Sequence, residues 1–178
     1  MDWAKTRDFR VGDNPALWRE NLENLLPKPS KVPRVQHHSA LPYEEIGSFM
    51  DQLRSREGVA VLALEFLILT ADRTNEVTGA DWSESNLKGK VWVAPPDKMK
   101  GGKEHRVPLS SLVVAVLKKM TKEYEADAFV FPGGKVGKSL PSGGMISALQ
   151  RMGLSDLTVH GFRSTFRDWA AEQTSYPD

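Results

Sequence analysis

Three short stretches of this sequence carry cationic groups that could act together on a phosphate. In Thr70-Ala71-Asp72-Arg73-Thr74-Asn75-Glu76-Val77, an arginine leaves an apolar run and a glutamate follows three residues later. That spacing lets the carboxylate reach across one helical turn and orient the guanidinium. Taken alone, it more often marks an ordinary surface ion pair. The second stretch runs Lys98-Met99-Lys100-Gly101-Gly102-Lys103-Glu104-His105-Arg106-Val107-Pro108-Leu109. A lysine at a glycine-containing hairpin tip can reach a phosphate or a leaving oxygen while paired strands hold its base. A soluble turn would look the same.

The third stretch is Val159-His160-Gly161-Phe162-Arg163-Ser164-Thr165-Phe166-Arg167-Asp168-Trp169. Helical spacing puts His160 and Arg163 on one face and leaves Phe162, Phe166 and Trp169 available for the core. An imidazole and a guanidinium converging on one phosphate donate hydrogen bonds to its nonbridging oxygens and balance the charge of a pentavalent transition state. A core histidine beside a surface arginine is the plain alternative.

The elements that must position these groups follow from periodicity. Ile46, Phe49, Met50 and Leu53 recur at helical spacing and end near Gly58. A more buried helix follows from Val59 to about Thr70, and a short one holds Asn75 to Gly79. The period then changes: residues 90–94 and 105–109 read as strands broken by Pro95-Pro96 and Gly101-Gly102. Ser110 is placed to cap a helix through Leu112, Val113, Val116, Leu117 and Met120. After the brief apolar run Phe129-Val130-Phe131, further helices are expected at Ser142 to Met152 and from about His160 to Gln173. The fold class is therefore α+β, mainly α, with a small antiparallel sheet.

The first 40 residues are polar and broken by prolines, with a short helix expected around Pro15 to Leu26, capped by Asn14. Residues 27–33 should be extended, because each proline restricts its predecessor and removes a backbone donor. The expected organisation is a preceding region and interdomain linker over 1–40 and one domain over 41–178.

Composition narrows the chemistry. The chain has 178 residues, no cysteine and a net charge of only +1. Disulfides, thiolate zinc sites and cysteine nucleophiles are excluded. The longest apolar run, Val59 to Ala71, is too short to span a bilayer and carries Glu65. The N-terminus lacks the pattern of a secretory signal, which makes cytoplasmic residence the expectation. Positive charge is concentrated at Lys88, Lys90, Lys98, Lys100, Lys103 and Arg106, opposed within that stretch only by Asp97 and Glu104. Such a cluster fits either a DNA-facing hairpin or a solvated lysine-rich one.

In their joint order, spacing and hairpin setting, the stretches resemble the tyrosine recombinase family, most closely the phage and genomic-island integrases. The resemblance runs from about Leu41 to the C-terminus. The first arginine matches Arg73 in an Arg-x-x-Glu setting supported by Glu76; the hairpin lysine matches Lys100; the His-x-x-Arg pair matches His160 and Arg163. The proline-rich linker sits where members join their core-binding domain to the catalytic one. The resemblance implies site-specific DNA recombination: a tyrosine attacks the scissile phosphate, forms a 3′-phosphotyrosyl link and releases a 5′-hydroxyl. Arg73, His160 and Arg163 would bind the phosphate, and Lys100 would protonate the leaving hydroxyl. Lys98, Lys103 and Arg106 would contact DNA. No metal or nucleotide cofactor is implied. The implied partners are double-stranded DNA and, in the full-length protein, other integrase protomers on it.

The departures from the family pattern are specific. Members carry a further His or Trp and then the nucleophilic tyrosine after the His-x-x-Arg helix, whereas this sequence stops at Asp178. Tyr43, Tyr124 and Tyr176 match no nucleophile position, so the expectation is a fragment that binds DNA without cleaving it. Ser164 stands where many relatives have histidine. An integrase remnant that only docks on DNA or a partner is the main alternative. A nucleotide-binding ATPase is a third reading, suggested by Pro132-Gly133-Gly134-Lys135-Val136-Gly137-Lys138-Ser139, but the first glycine of a phosphate loop is replaced by Pro132 and no helix follows directly.

Overall fold

In the computed structural model, residues 6–9, 11, 12, 14, 16–26, 39–99, 101–124 and 128–175 are described. The chain divides into two units, Met1–His37 and His38–Asp178. In the first, Asn14 Oδ1 accepts a hydrogen bond from the Ala16 amide at 2.9 Å. The expected helix there is a π-helical turn, Trp18–Leu22, running into a single α turn, Glu23–Leu25. The extended segment expected over 27–33 lies outside the described residues.

The second unit gathers its helices and a three-stranded sheet around one apolar helix. Helix α1 (Ile46–Arg54) buries Phe49, Met50 and Leu53, the stripe its spacing calls for. Helix α2 (Val59–Thr70) is apolar on every side because it is the central element. It touches α1, α3 (Thr74–Thr78), α4 (Ser111–Tyr124), α5 (Gly143–Arg151) and α6 (Gly161–Gln173). Its one charge, Glu65, is buried and meets Arg54 Nε at 2.6 Å, which meets the need of a buried carboxylate for a partner. Phe66 on α2 holds Trp92 and Phe131 edge-on, each with ring centroids 5.4 Å away.

The sheet is antiparallel in the order β1 (Ser85–Asn86), β2 (Val91–Ala94), β3 (His105–Pro108). Register pairs Trp92 with Val107 and Ala94 with His105. Trp92, Ala94 and Val107 turn inward and Arg106 faces out, the alternation a half-buried sheet requires. Ser110 Oγ accepts from the Val113 amide at 3.3 Å, so the expected cap is present. Val113, Val116, Leu117 and Met120 are buried along α4. Among the described residues, no helix is long and apolar enough to cross a membrane.

Candidate phosphate-binding site

Helix α2 stops at Ala71, which adopts a left-handed conformation at φ 54° and turns the chain sharply. Arg73 is then extended and serves as the N-cap of α3. Glu76, in the first turn of α3, accepts from the Arg73 amide at 3.1 Å and from its Nη1 at 2.7 Å. Glu76 is buried while the Arg73 side chain is half-exposed. The carboxylate therefore fixes the guanidinium and leaves part of it facing solvent. Burial pushes the Glu76 carboxyl up, but the two hydrogen bonds from Arg73 and its charge outweigh burial and hold it below the ordinary 4.5.

Helix α6 is seated by three contacts near its start. Phe162 packs on Phe49 with ring centroids 5.0 Å apart, and Thr165 Oγ1 donates to the Leu41 carbonyl at 2.6 Å. Gly161 lies so close to the Ser39 carbonyl that a side chain there would collide with the backbone. So anchored, α6 delivers Arg163, whose Nη1 donates to the carbonyl of Ala71. Arg73, Glu76, His160, Arg163 and Ser164 thereby line one open groove of about 700 Å³.

Lys100 lies outside the described residues; its neighbour Met99 lines the groove. Lys98 is engaged within the fold, its Nζ donating to the Gly79 carbonyl at 2.9 Å and meeting the Glu84 carboxylate. Glu84 also accepts from Trp92 Nε1 at 3.0 Å, so the base of the hairpin loop is tied to the core. Lys103 is exposed, and Arg106 lies 3.6 Å from Glu104 beside a separate hollow near Glu84.

Three charged or titratable groove residues were not singled out as site residues by sequence reasoning. Arg167 joins Arg163 on the same lining; its place one turn after Arg163 was the available signal. Asp72 and His105 also line it, and His105 Nε2 stands 3.2 Å from Asp72 Oδ1. No sequence rule links those two, because the sheet brings them together. Phe166 and Trp169, expected in the core, are instead 48% and 43% exposed and pack on one another at 5.8 Å. Only Phe162 of that set reaches the interior, where it packs on Phe49.

Tyr43 is not at the groove. Its hydroxyl donates to Glu172 Oε2 at 2.9 Å and accepts from Gln173 Nε2 at 3.1 Å, and the Glu172 carboxylate raises its pKa above 10.0. Tyr124 ends α4, and Tyr176 lies outside the described residues. Among the described residues, no cluster of three or more His, Asp or Glu could hold a metal ion. The glycine-lysine stretch at 133–139 closes on itself: the Gly133 amide donates to the Lys138 carbonyl at 2.6 Å, and Leu140 to Phe131 at 2.8 Å. The Lys138 amide likewise donates to the Lys135 carbonyl at 3.1 Å, and the next helix begins only at Gly143.

Comparison with known proteins identifies the family and the fold. Residues 40–175 match the phage integrase family. The prophage integrase IntZ of Escherichia coli (strain K12) is 35% identical over 151 residues, covering 83% of this chain and 38% of the relative. The integrase of Enterobacteria phage P4 is 26% identical over 196 residues, covering all of this chain and 43% of that protein. The chain thus spans about two fifths of these relatives. Among solved structures, the Tn1549 transposon integrase in complex with transposon right end DNA superposes with a TM-score of 0.64 at 14% identity, covering 98% of this chain and 64% of that one. A lambda integrase dimer bound to a COC′ core site gives 0.58 at 17% identity, covering 78% and 55%. Mainly helical with a small three-stranded antiparallel sheet, the fold is that of tyrosine recombinase catalytic domains, and this chain belongs to the phage integrase family.

Proposed function

We propose that this chain is the phosphate-gripping part of an integrase and that its groove seats one backbone phosphate of double-stranded DNA. The observation that carries the reading is the hydrogen bond from Arg163 to the Ala71 carbonyl. It brings the guanidiniums of Arg73 and Arg163 to the same groove as His160, three donors suited to the nonbridging oxygens of one phosphate. Glu76 orients Arg73. Lys100 acts as general acid toward the leaving 5′-oxygen. Lys103 and Arg106 contact the flanking backbone. Residues 1–40 are the end of a preceding region and the linker to it.

In the full-length protein the reaction is DNA strand cleavage and rejoining through a phosphotyrosyl intermediate, with further integrase protomers on the same DNA. This chain binds without cleaving: cations lower the barrier at a phosphate but do not supply the attacking oxygen. The bonds Tyr43 makes to Glu172 and Gln173, away from the groove, support that view. A nicked suicide substrate tests it. The duplex should bind and no protein should become covalently trapped. A covalent adduct that vanished in Tyr176→Phe would overturn the reading of this chain as non-cleaving.

A further inference from the structure

Within the groove, Asp72 and His105 form a pair to which the phosphate reading assigns no role. Asp72 is 3% exposed, and its Oδ2 has no hydrogen-bond partner among the described residues. A buried carboxylate with a bare oxygen is costly unless a cation offsets it. The group facing it is His105, whose Nε2 lies 3.2 Å from Oδ1. His105 stands on β3 opposite Ala94, which fixes its backbone, and its side chain is about half-exposed and lines the groove. With Nε2 turned to Asp72, Nδ1 is the ring nitrogen left to meet a ligand.

We propose that His105 is a further phosphate-binding residue of the groove and that Asp72 is its positioning residue, holding the ring; this role rests on the groove being a phosphate site. The arrangement is a carboxylate–imidazole pair in which the buried carboxylate sets ring orientation and the second nitrogen donates to a nonbridging phosphate oxygen. Burial raises the Asp72 carboxyl above its ordinary 3.8, and the positive charge of His105 and the nearby Thr70 hydroxyl oppose that rise. The charged or titratable groups around the pair are Arg73 and Glu76 at the start of α3, and His160, Arg163 and Arg167 on α6.

The test is the affinity of this chain for a short fluorescent DNA duplex at fixed low salt, followed through the imidazole range, about pH 5.5 to 8.5. Wild-type binding should tighten as pH falls. His105→Gln should weaken binding about tenfold at the acid end and by no more than about twofold at the alkaline end, as expected for one charged hydrogen bond. Asp72→Asn should weaken binding at the acid end in the manner of His105→Gln, without lowering the thermal unfolding temperature. His160→Gln, compared in parallel, separates the two imidazoles, since each removes its own share of the pH response. An equal loss at both ends in His105→Gln, or no loss at either, overturns the proposal while leaving the groove intact if Arg163→Ala still weakens binding. Absence of wild-type binding at every pH overturns both.

Discussion

Arg163 and Ala71, 92 positions apart in sequence, are joined by a hydrogen bond from the guanidinium Nη1 to the carbonyl oxygen. The bond does two jobs. It satisfies a carbonyl freed at the end of α2, where the last turn has no further amides to accept from. It also brings Arg163 to the turn that carries Arg73. A lysine retains the charge but lacks the planar fork that reaches a carbonyl and a phosphate together. Arg163→Lys should weaken DNA binding by roughly tenfold to a hundredfold, the range of a charged hydrogen bond. Lys88→Ala, away from the groove, should change it by no more than about twofold. Side-by-side anisotropy titrations check this, and equal effects would count against the groove.

Ala71 holds a left-handed backbone at φ 54° without being glycine. That conformation costs an alanine roughly 1–2 kcal/mol relative to glycine. Ala71→Gly should therefore raise the thermal unfolding midpoint by about 2–4 °C per kcal/mol recovered. A midpoint that stays level or falls would mean that the alanine methyl makes packing contacts worth more than the strain.

Gly161 sits between His160 and Phe162, against the Ser39 carbonyl and with the Ala40 Cα 3.1 Å from where a Cβ would stand. Both neighbours are backbone and cannot swing away. Gly161→Ala should cost about 1–3 kcal/mol in denaturant unfolding, because α6 must shift. The same shift should weaken DNA binding by moving Arg163. Full retention of both properties would show that residues 39–41 give way easily.

Acid should loosen the site before the core. Glu76 is held below its ordinary 4.5 chiefly by Arg73 acting against burial, and Asp81 below 3.8 by the Ser83 amide. A depressed carboxylate contributes stability that is full above its unfolded value and is lost as pH falls through the folded one. Asp72, raised by burial, acts in the opposite sense and is relieved by protonation. Glu76→Gln should cost about 1–2 kcal/mol at neutral pH. The gap between wild type and variant should narrow below about pH 4. A gap independent of pH would remove the Arg73–Glu76 charge pairing as its cause.

Much of the fold was legible because the helices follow their apolar spacing: Phe49, Met50 and Leu53 on α1, and Val113, Val116, Leu117 and Met120 on α4, are buried as read. The two-residue strand Ser85–Asn86 was not legible, since two polar residues carry no period and pair only because β2 offers an edge. Phe166 and Trp169 misled for the opposite reason: their spacing marks an apolar face, but spacing does not say whether a neighbour covers it. In the site, Arg73 with Glu76 and His160 with Arg163 were readable because each pair is local. The Asp72–His105 contact depends on how the sheet folds back against the end of α2, which neither segment encodes alone.

The most direct test of the groove is the salt dependence of DNA binding by this chain, wild type against Arg73→Ala and Arg163→Ala. Each phosphate neutralised should contribute about 0.9 to the slope of log affinity against log salt. The expected result is a steep wild-type slope that falls by roughly one in each variant, with affinity nearly indifferent to base sequence because phosphate contacts carry no base information. A wild-type affinity that stays flat between low and high salt, or variants whose slopes match wild type, would contradict the assignment of Arg73 and Arg163 to a DNA phosphate.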